Sequence, residues 1–256
     1  LDNLDRNAKL LENALNKVNR KIAALAASLR VDDNGALLTD QAELTKAMNM
    51  RVEIAAIFAK EFDGVTNKVL KSFITAAKDA NKELSAAIGV KSTFGRADAA
   101  IVSAMMTDTG MEITSASLLA QSQISQALYV SVIAGGKQED LIQQVGQYLI
   151  GQTDKRGNPM LSHVDTIVRT RYMETDAIVT QKKAADVGVT KFRYTGGTVK
   201  DSREWCVNHV GKVFTREEIA AWERESWAGK KPGDPFVVRG GWNCIHRFRA
   251  VVDDVE

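Results

Sequence analysis

A chain of 256 residues with 45% hydrophobic and 26% charged side chains can bury a full core and is neither disordered nor fibrous. Its formal charge of +2 gives no field of the kind that marks a nucleic-acid or membrane-surface binder. No apolar run approaches the roughly 20 residues that span a bilayer, and two cysteines make no disulfide framework, so the expectation is a soluble, unsecreted protein in a reducing compartment.

The first 158 residues contain no proline, which fits long helices. Leu1, Leu4, Ala8, Leu11, Leu15, Val18, Ile22, Leu25 and Leu29 step by threes and fours, the spacing of a coiled-coil seam. Such a seam can pack on its own domain or serve a partner helix, and Leu4, Leu11, Leu15, Val18, Ile22, Leu25 and Leu29 are the candidate partner contacts. Asp32-Asp33-Asn34-Gly35 carries turn chemistry. A second long helix then opens on the capping pair Asp40 and Glu43, with an apolar stripe of Leu44, Met48, Ala55, Phe58, Phe62, Val65, Val69, Phe73, Ala80, Leu84 and Ala87 and a kink expected at Gly64. Residues 92 to 109 and 111 to 134 read as two further helices, the latter ending at Gly135-Gly136, and Gln138 to Ile150 as a short one stopped by Gly151.

The polar stretch through Asn158-Pro159 is the expected domain boundary, separating a helical region, 1–158, from a C-terminal module, 159–256. In the module, 162 to 187 reads as a helix, and Lys191 to Thr195 alternates like a half-buried strand before Gly196-Gly197 turns the chain. Thr215 with Glu218 forms a capping box for a short helix carrying Ile219 and Trp222. Gly229 to Gly241 is a Gly/Pro loop, and Phe248 to Val252 returns as a strand. The predicted fold is mainly α, with long N-terminal helices followed by a small α+β module.

Both cysteines, two of three histidines and all four tryptophans fall between Trp205 and His246. Cys206, His209, Cys244 and His246 offer four soft or borderline ligands from two loops, the general plan of a structural zinc site. The single residue between Cys244 and His246 is short for a ligand pair, because strand neighbours two apart lie about 6–7 Å from one another. A Cys206–Cys244 pairing is an alternative; oxidised, it would close a loop of about 38 residues and stabilise by about 4 kcal/mol. A third alternative buries each Cys as a small hydrophobe. Asp201, Arg203, Glu204 and His209 could also be arranged for acid–base chemistry, the version being a metal-dependent nuclease or toxin-like domain. Against that, the chain has no second acidic cluster for a catalytic divalent ion and no Gly-rich phosphate loop. Arg169, Arg171, Lys191 and Arg193 are the candidate DNA-facing residues, though acidic side chains interleave with them.

Several blocks occur in order: Thr166-Ile167-Val168-Arg169-Thr170, Gly188-Val189, Phe192-Arg193-Tyr194, Asp201-Ser202-Arg203 with Cys206, Gly211-Lys212-Val213-Phe214, and Gly240-Gly241-Trp242-Asn243-Cys244 with His246-Arg247. Together, over about residues 160 to 252, they resemble the C-terminal domain of phage Mu F-like minor head proteins. The resemblance implies a structural, non-enzymatic component of a tailed-phage head, active in head morphogenesis and assembled in the host cytoplasm. It would sit in the virion near the portal vertex, in several copies. The implied partners are the portal, the major capsid or other virion proteins and double-stranded DNA, without a membrane. By position, Asp201, Arg203, Cys206, Cys244 and His246 match the family signature, and with His209 and Trp242 they make up the expected structural cluster. Ile245 departs from the Arg that many members carry between the last Cys and His, which removes a basic group from the tip.

Overall fold

The computed structural model describes residues 2–89, 91–151 and 159–252. The chain is mostly helical, with long N-terminal helices and a small C-terminal antiparallel sheet accompanied by short helices. Its helices are α1 (Asp2–Ala27), α2 (Gln41–Phe58), α3 (Gly64–Ile88), α4 (Arg96–Ile133), α5 (Gln138–Ile150) and α6 (Met160–Asp186). Strand β1 (Lys191–Thr195) follows, then α7 (Glu204–His209), β2 (Val213–Thr215), α8 (Arg216–Ala221), α9 (Pro235–Val238) and β3 (Arg247–Val251). The described chain groups into two compact units, Leu1–Leu70 with Gly110–Asp165, and Lys71–Thr109 with Thr166–Glu256. The stretch that leads into the boundary expected at 158, residues 152–158, lies outside the described residues.

In the first unit the α1 seam is buried inside the fold. Leu4, Leu11, Leu15, Val18, Ile22 and Leu29 are buried, Leu25 is half-buried, and α1 packs against α5, α2 and a π-helical turn, Ala59–Asp63. Leu1 lies outside the described residues. An apolar stripe has to be covered by something, and here the same chain covers it. At the end of α1, Gln138 Nε2 donates to the carbonyl of Ala26 in the last turn and to that of Leu29 beyond it. Asp32 accepts from the amides of Asn34 and Ala36, and Gly35 takes φ +78°, closing the expected turn.

Asp40 caps α2 by accepting from the Glu43 amide, as the sequence indicates. The buried line of α2 is Glu43, Ala47, Met50, Ile54 and Phe58, while Met48 and Ala55 of the expected stripe face solvent. A stripe drawn from apolar residues alone skips Glu43, whose carboxylate turns inward to accept from the Arg30 amide and Nε. The interruption expected at Gly64 is the π turn just before it; Gly64 itself is helical at φ −63°. The two helices expected on either side of residue 110 are one helix, α4. Gly110 does not break it, and its missing side chain lets Leu70 approach: a Cβ there would lie 3.4 Å from Leu70 Cδ1. Gly151 ends α5 in the left-handed conformation at φ +70°.

In the second unit the sheet order is β2-β1-β3, with β1 antiparallel to both neighbours. Alternation along β1 sends Phe192 and Tyr194 inward and Arg193 outward. Phe192, Tyr194, Ile219, Trp222, Phe236 and Phe248 form the core with Leu84, Ala177 and Ala184. The Thr215–Glu218 capping box starts α8 as expected.

Candidate functional site

Three segments far apart in sequence meet over the inner face of the sheet. Central strand β1 contributes Tyr194, α7 contributes Cys206 as its buried residue, and the turn before β3 contributes Cys244 and His246. Cys244 and His246 come together because their segment is a turn and not a strand. The Cys244 amide donates to the Gly241 carbonyl at 3.1 Å, and Asn243 adopts φ +58°, which Asn tolerates. The Asn243 amide and Nδ2 donate to Thr170 and Thr166 at 3.0 and 3.1 Å, tying the turn to α6. Cys244 Sγ thereby lies 3.5 Å from His246 Nδ1, so the short spacing is no obstacle to joint ligation.

The ligand atoms of Cys206, Cys244 and His246 all lie within 4.8 Å of one another, and among the described residues this is the group able to hold a metal ion. Their exposures are 2%, 3% and 3%, so the group is sealed from solvent. The Tyr194 hydroxyl is 3.7 Å from Cys206 Sγ and 3.4 Å from Cys244 Sγ. Both cysteines are free thiols. Cys206 is pushed up in pKa, first by its hydrogen bond to Cys244 and then by burial. Cys244 is held well below the usual thiol range, because it accepts that bond and also has His246 and the Arg239 charge beside it, against burial. Burial, followed by the two sulfurs, pushes the Tyr194 phenol up. Of the two sulfurs, Cys244 is the one whose surroundings favour the thiolate.

Gly240 is where the backbone crosses this group: a Cβ there would meet Cys206 Sγ at 2.3 Å and Cys244 Sγ at 3.1 Å. An aromatic shell surrounds it. The Trp205 ring has His209 stacked at 4.0 Å and Trp227 stacked at 4.1 Å, and Trp222 meets Trp205 edge-on at 4.8 Å. Polar tips are satisfied, Trp205 Nε1 by Glu225 and Trp227 Nε1 by the Gly240 carbonyl. Lys230 lies 4.8 Å from the centre of the Trp227 ring.

His209, expected as a ligand and as part of the cluster, is placed outside the trio. It sits in the last turn of α7, where Nδ1 donates to the Trp205 carbonyl at 2.6 Å while the ring lies flat on the Trp205 indole. Arg203 donates to the Trp242 carbonyl at 2.6 Å and joins the start of α7 to the second loop. Trp242 is 38% exposed, with Lys231 4.9 Å from its ring centre. Asp201 is an exposed turn residue, and Glu204 is exposed on α7. Of the candidate DNA-facing residues, Arg193 is exposed with Nη1 donating to the Gly211 carbonyl, Arg171 is bonded to buried Glu174, and Arg169 and Lys191 are half-buried.

Two participants escape the sequence reading as site residues. Tyr194 had a signal, since the inward face of a central strand must give a tyrosine hydroxyl a partner. Arg239 had none: it lies in a Gly/Pro loop, yet is 1% exposed with Nη1 donating to the Met173 carbonyl at 2.6 Å. Comparison with protein-family models, with curated proteins and with solved structures finds no match to this chain.

Proposed function

We propose that the chain is a structural minor head protein of a tailed bacteriophage, of the Mu F-like kind, that docks near the portal and contacts other virion proteins. The observation that carries this reading is the convergence of the resembling blocks. Arg203, Cys206, Cys244 and His246, from segments about 40 residues apart, meet in and around one sealed cluster whose contacts hold the module closed. Side chains used in this way serve cohesion, as a particle component requires. A nuclease or toxin-like reading asks instead for acid–base groups that reach a substrate. Of the acid–base candidates, Asp201 and Glu204 are exposed, while Arg203 is held by the Trp242 carbonyl and His209 is stacked on Trp205. No helix among the described residues is long and apolar enough to cross a membrane.

Coexpression of the full chain with the portal protein of the same genome, followed by size-exclusion chromatography, tests the reading. Co-elution in a defined ratio is the expected result. Separate elution under every assembly condition, or nuclease activity lost in His209→Ala with folding intact, would overturn it.

A further inference from the structure

We infer that Cys206, Cys244 and His246 bind one zinc ion, with the Tyr194 hydroxyl at the fourth corner of a closed structural site. The spacings carry the inference. With Zn–S of about 2.3 Å and Zn–N of about 2.0–2.1 Å, a tetrahedron places two sulfurs about 3.8 Å apart and a sulfur about 3.6 Å from a nitrogen or oxygen ligand. Cys244 Sγ is 3.5 Å from His246 Nδ1, and the Tyr194 oxygen is 3.4 and 3.7 Å from the two sulfurs. All three ligand atoms of the Cys/His trio fall within 4.8 Å of one another.

A second observation is independent of these distances. His246 is 3% exposed, its Nε2 has no hydrogen-bond partner, and its Nδ1 faces the Cys244 sulfur rather than a carbonyl or carboxylate. Nε2 lies on the far edge of the ring and is not reached by an ion near the sulfurs, but an ion on the sulfur side would replace the weak sulfur contact of Nδ1 with a ligand bond. Gly240 leaves that side clear, since any Cβ there would fall 2.3 Å from Cys206 Sγ.

Two thiolates and an imidazole select a borderline-soft ion such as zinc over calcium or magnesium, which require oxygen ligands. Burial of every ligand makes the site closed, so the ion serves the fold and has no open position for substrate. On binding, the thiol protons leave to solvent and both sulfurs ligate as thiolates, while Tyr194 keeps its proton and approaches as a neutral hydroxyl. The ion would then bond α7, β1 and the turn before β3 to one another. This assignment concerns the second compact unit alone and stands whether or not the chain assembles on a portal.

The test uses the full chain, stripped with chelator and titrated with zinc in competition with a chromophoric chelator, then with cobalt(II) for its thiolate charge-transfer band. One ion per chain is expected, with a cobalt spectrum of two thiolates. Cys206→Ser, Cys244→Ser and His246→Gln should each weaken binding by more than about 100-fold, because second-shell losses alone cost 10–100-fold. Tyr194→Phe should weaken it about 10-fold or more, and His209→Gln by less than about 2-fold. Should the serine variants unfold, alkylation of the wild-type protein decides: zinc should protect both cysteines and chelator should expose them. A chain that takes up no zinc, cysteines that zinc leaves unprotected, a Cys206–Cys244 disulfide in the purified protein, or equal losses from His209→Gln and His246→Gln would each overturn the assignment.

Discussion

Gly240→Ala isolates the close approach at the centre of the cluster. The added Cβ would sit 2.3 Å from Cys206 Sγ, 3.1 Å from Cys244 Sγ and 3.5 Å from the Tyr194 oxygen. Gly240 is not among the glycines at positive φ, so the cost is steric and not one of backbone strain. Relief requires Cys206 to rotate about its single side-chain torsion, but its sulfur is buried beside Cys244 and under the Tyr194 hydroxyl. Overpacking of this kind costs about 2–3 kcal/mol. In a chain of this size that lowers Tm by roughly 4–12 °C. The assay is thermal and urea unfolding of the full chain with chelator present, so that metal affinity does not enter. The decisive comparison is a double-mutant cycle with Cys206→Ala, which removes the nearest atom. The pair should be less destabilised than the two single effects summed, by about 1 kcal/mol or more. A Gly240→Ala protein within about 0.5 kcal/mol of wild type, or strict additivity with Cys206→Ala, would refute the steric reasoning.

Three other outcomes follow from the same contacts. Ile22→Ala, at a fully buried seam position, should lower stability by about 2–5 kcal/mol without changing the size-exclusion elution of the folded protein; a change of oligomeric size with unchanged Tm would restore the seam to a partner. Thr215→Ala removes the capping-box acceptor of α8 and should cost about 0.5–2 kcal/mol in chemical denaturation, with Thr215→Ser recovering most of it. The Glu43 carboxyl is held below its usual range, chiefly by the hydrogen bond from Arg30. Its folded pKa is the depressed one, so its contribution is complete above the unfolded pKa and is lost as pH falls through the folded value. Glu43→Gln should therefore flatten the acid limb of a stability–pH curve, and an unchanged limb would show that the Arg30 bond does not couple to folding.

Elements whose signals are local were legible in the sequence. The Asp40 and Thr215 caps, the Gly151 stop and the alternation of β1 each depend on a few adjacent residues. Readings that needed tertiary partners were less complete. Glu43 was left out of the buried face of α2 because its acceptor role depends on Arg30, thirteen residues earlier. Gly110 looked like a helix end because a sequence cannot reveal that Leu70 packs against it. Strand β2 is three residues long, too short to show alternation, and exists because β1 offers it an edge. At the site, the Cys and His blocks stood out by composition, but ligand choice did not. His209 is three residues after Cys206 and so looked like its partner. The indole of Trp205 claims the ring instead, and the hydroxyl beside the sulfurs comes from a strand residue, Tyr194.

The surroundings of the cluster also explain why a binding ion would matter to the fold. Arg239, immediately before Gly240, takes φ +48° and ψ −121°, a conformation that costs a non-glycine residue about 1–3 kcal/mol. It persists there with a fully buried guanidinium that donates to Met173, has an unbonded Nε, and lends its charge to Cys244 and to Asp176, whose carboxyl burial pushes up. Strain at Arg239 and an unsatisfied ring nitrogen on His246 are therefore concentrated within a few residues of one loop. Such features are retained only where neighbouring contacts over-determine the geometry. Hydrogen bonds from Asn243 to α6 and from Arg203 to Trp242 supply part of that, and Gly229, at φ +77° with no space for a side chain beside Arg203, keeps the second path open. A cation held by both sulfurs would add positive charge near Arg239 while compensating the charge of the ligating thiolates. Zinc loading should thus turn the meeting of Cys206 and Cys244 into a fixed cross-link between α7 and the turn before β3.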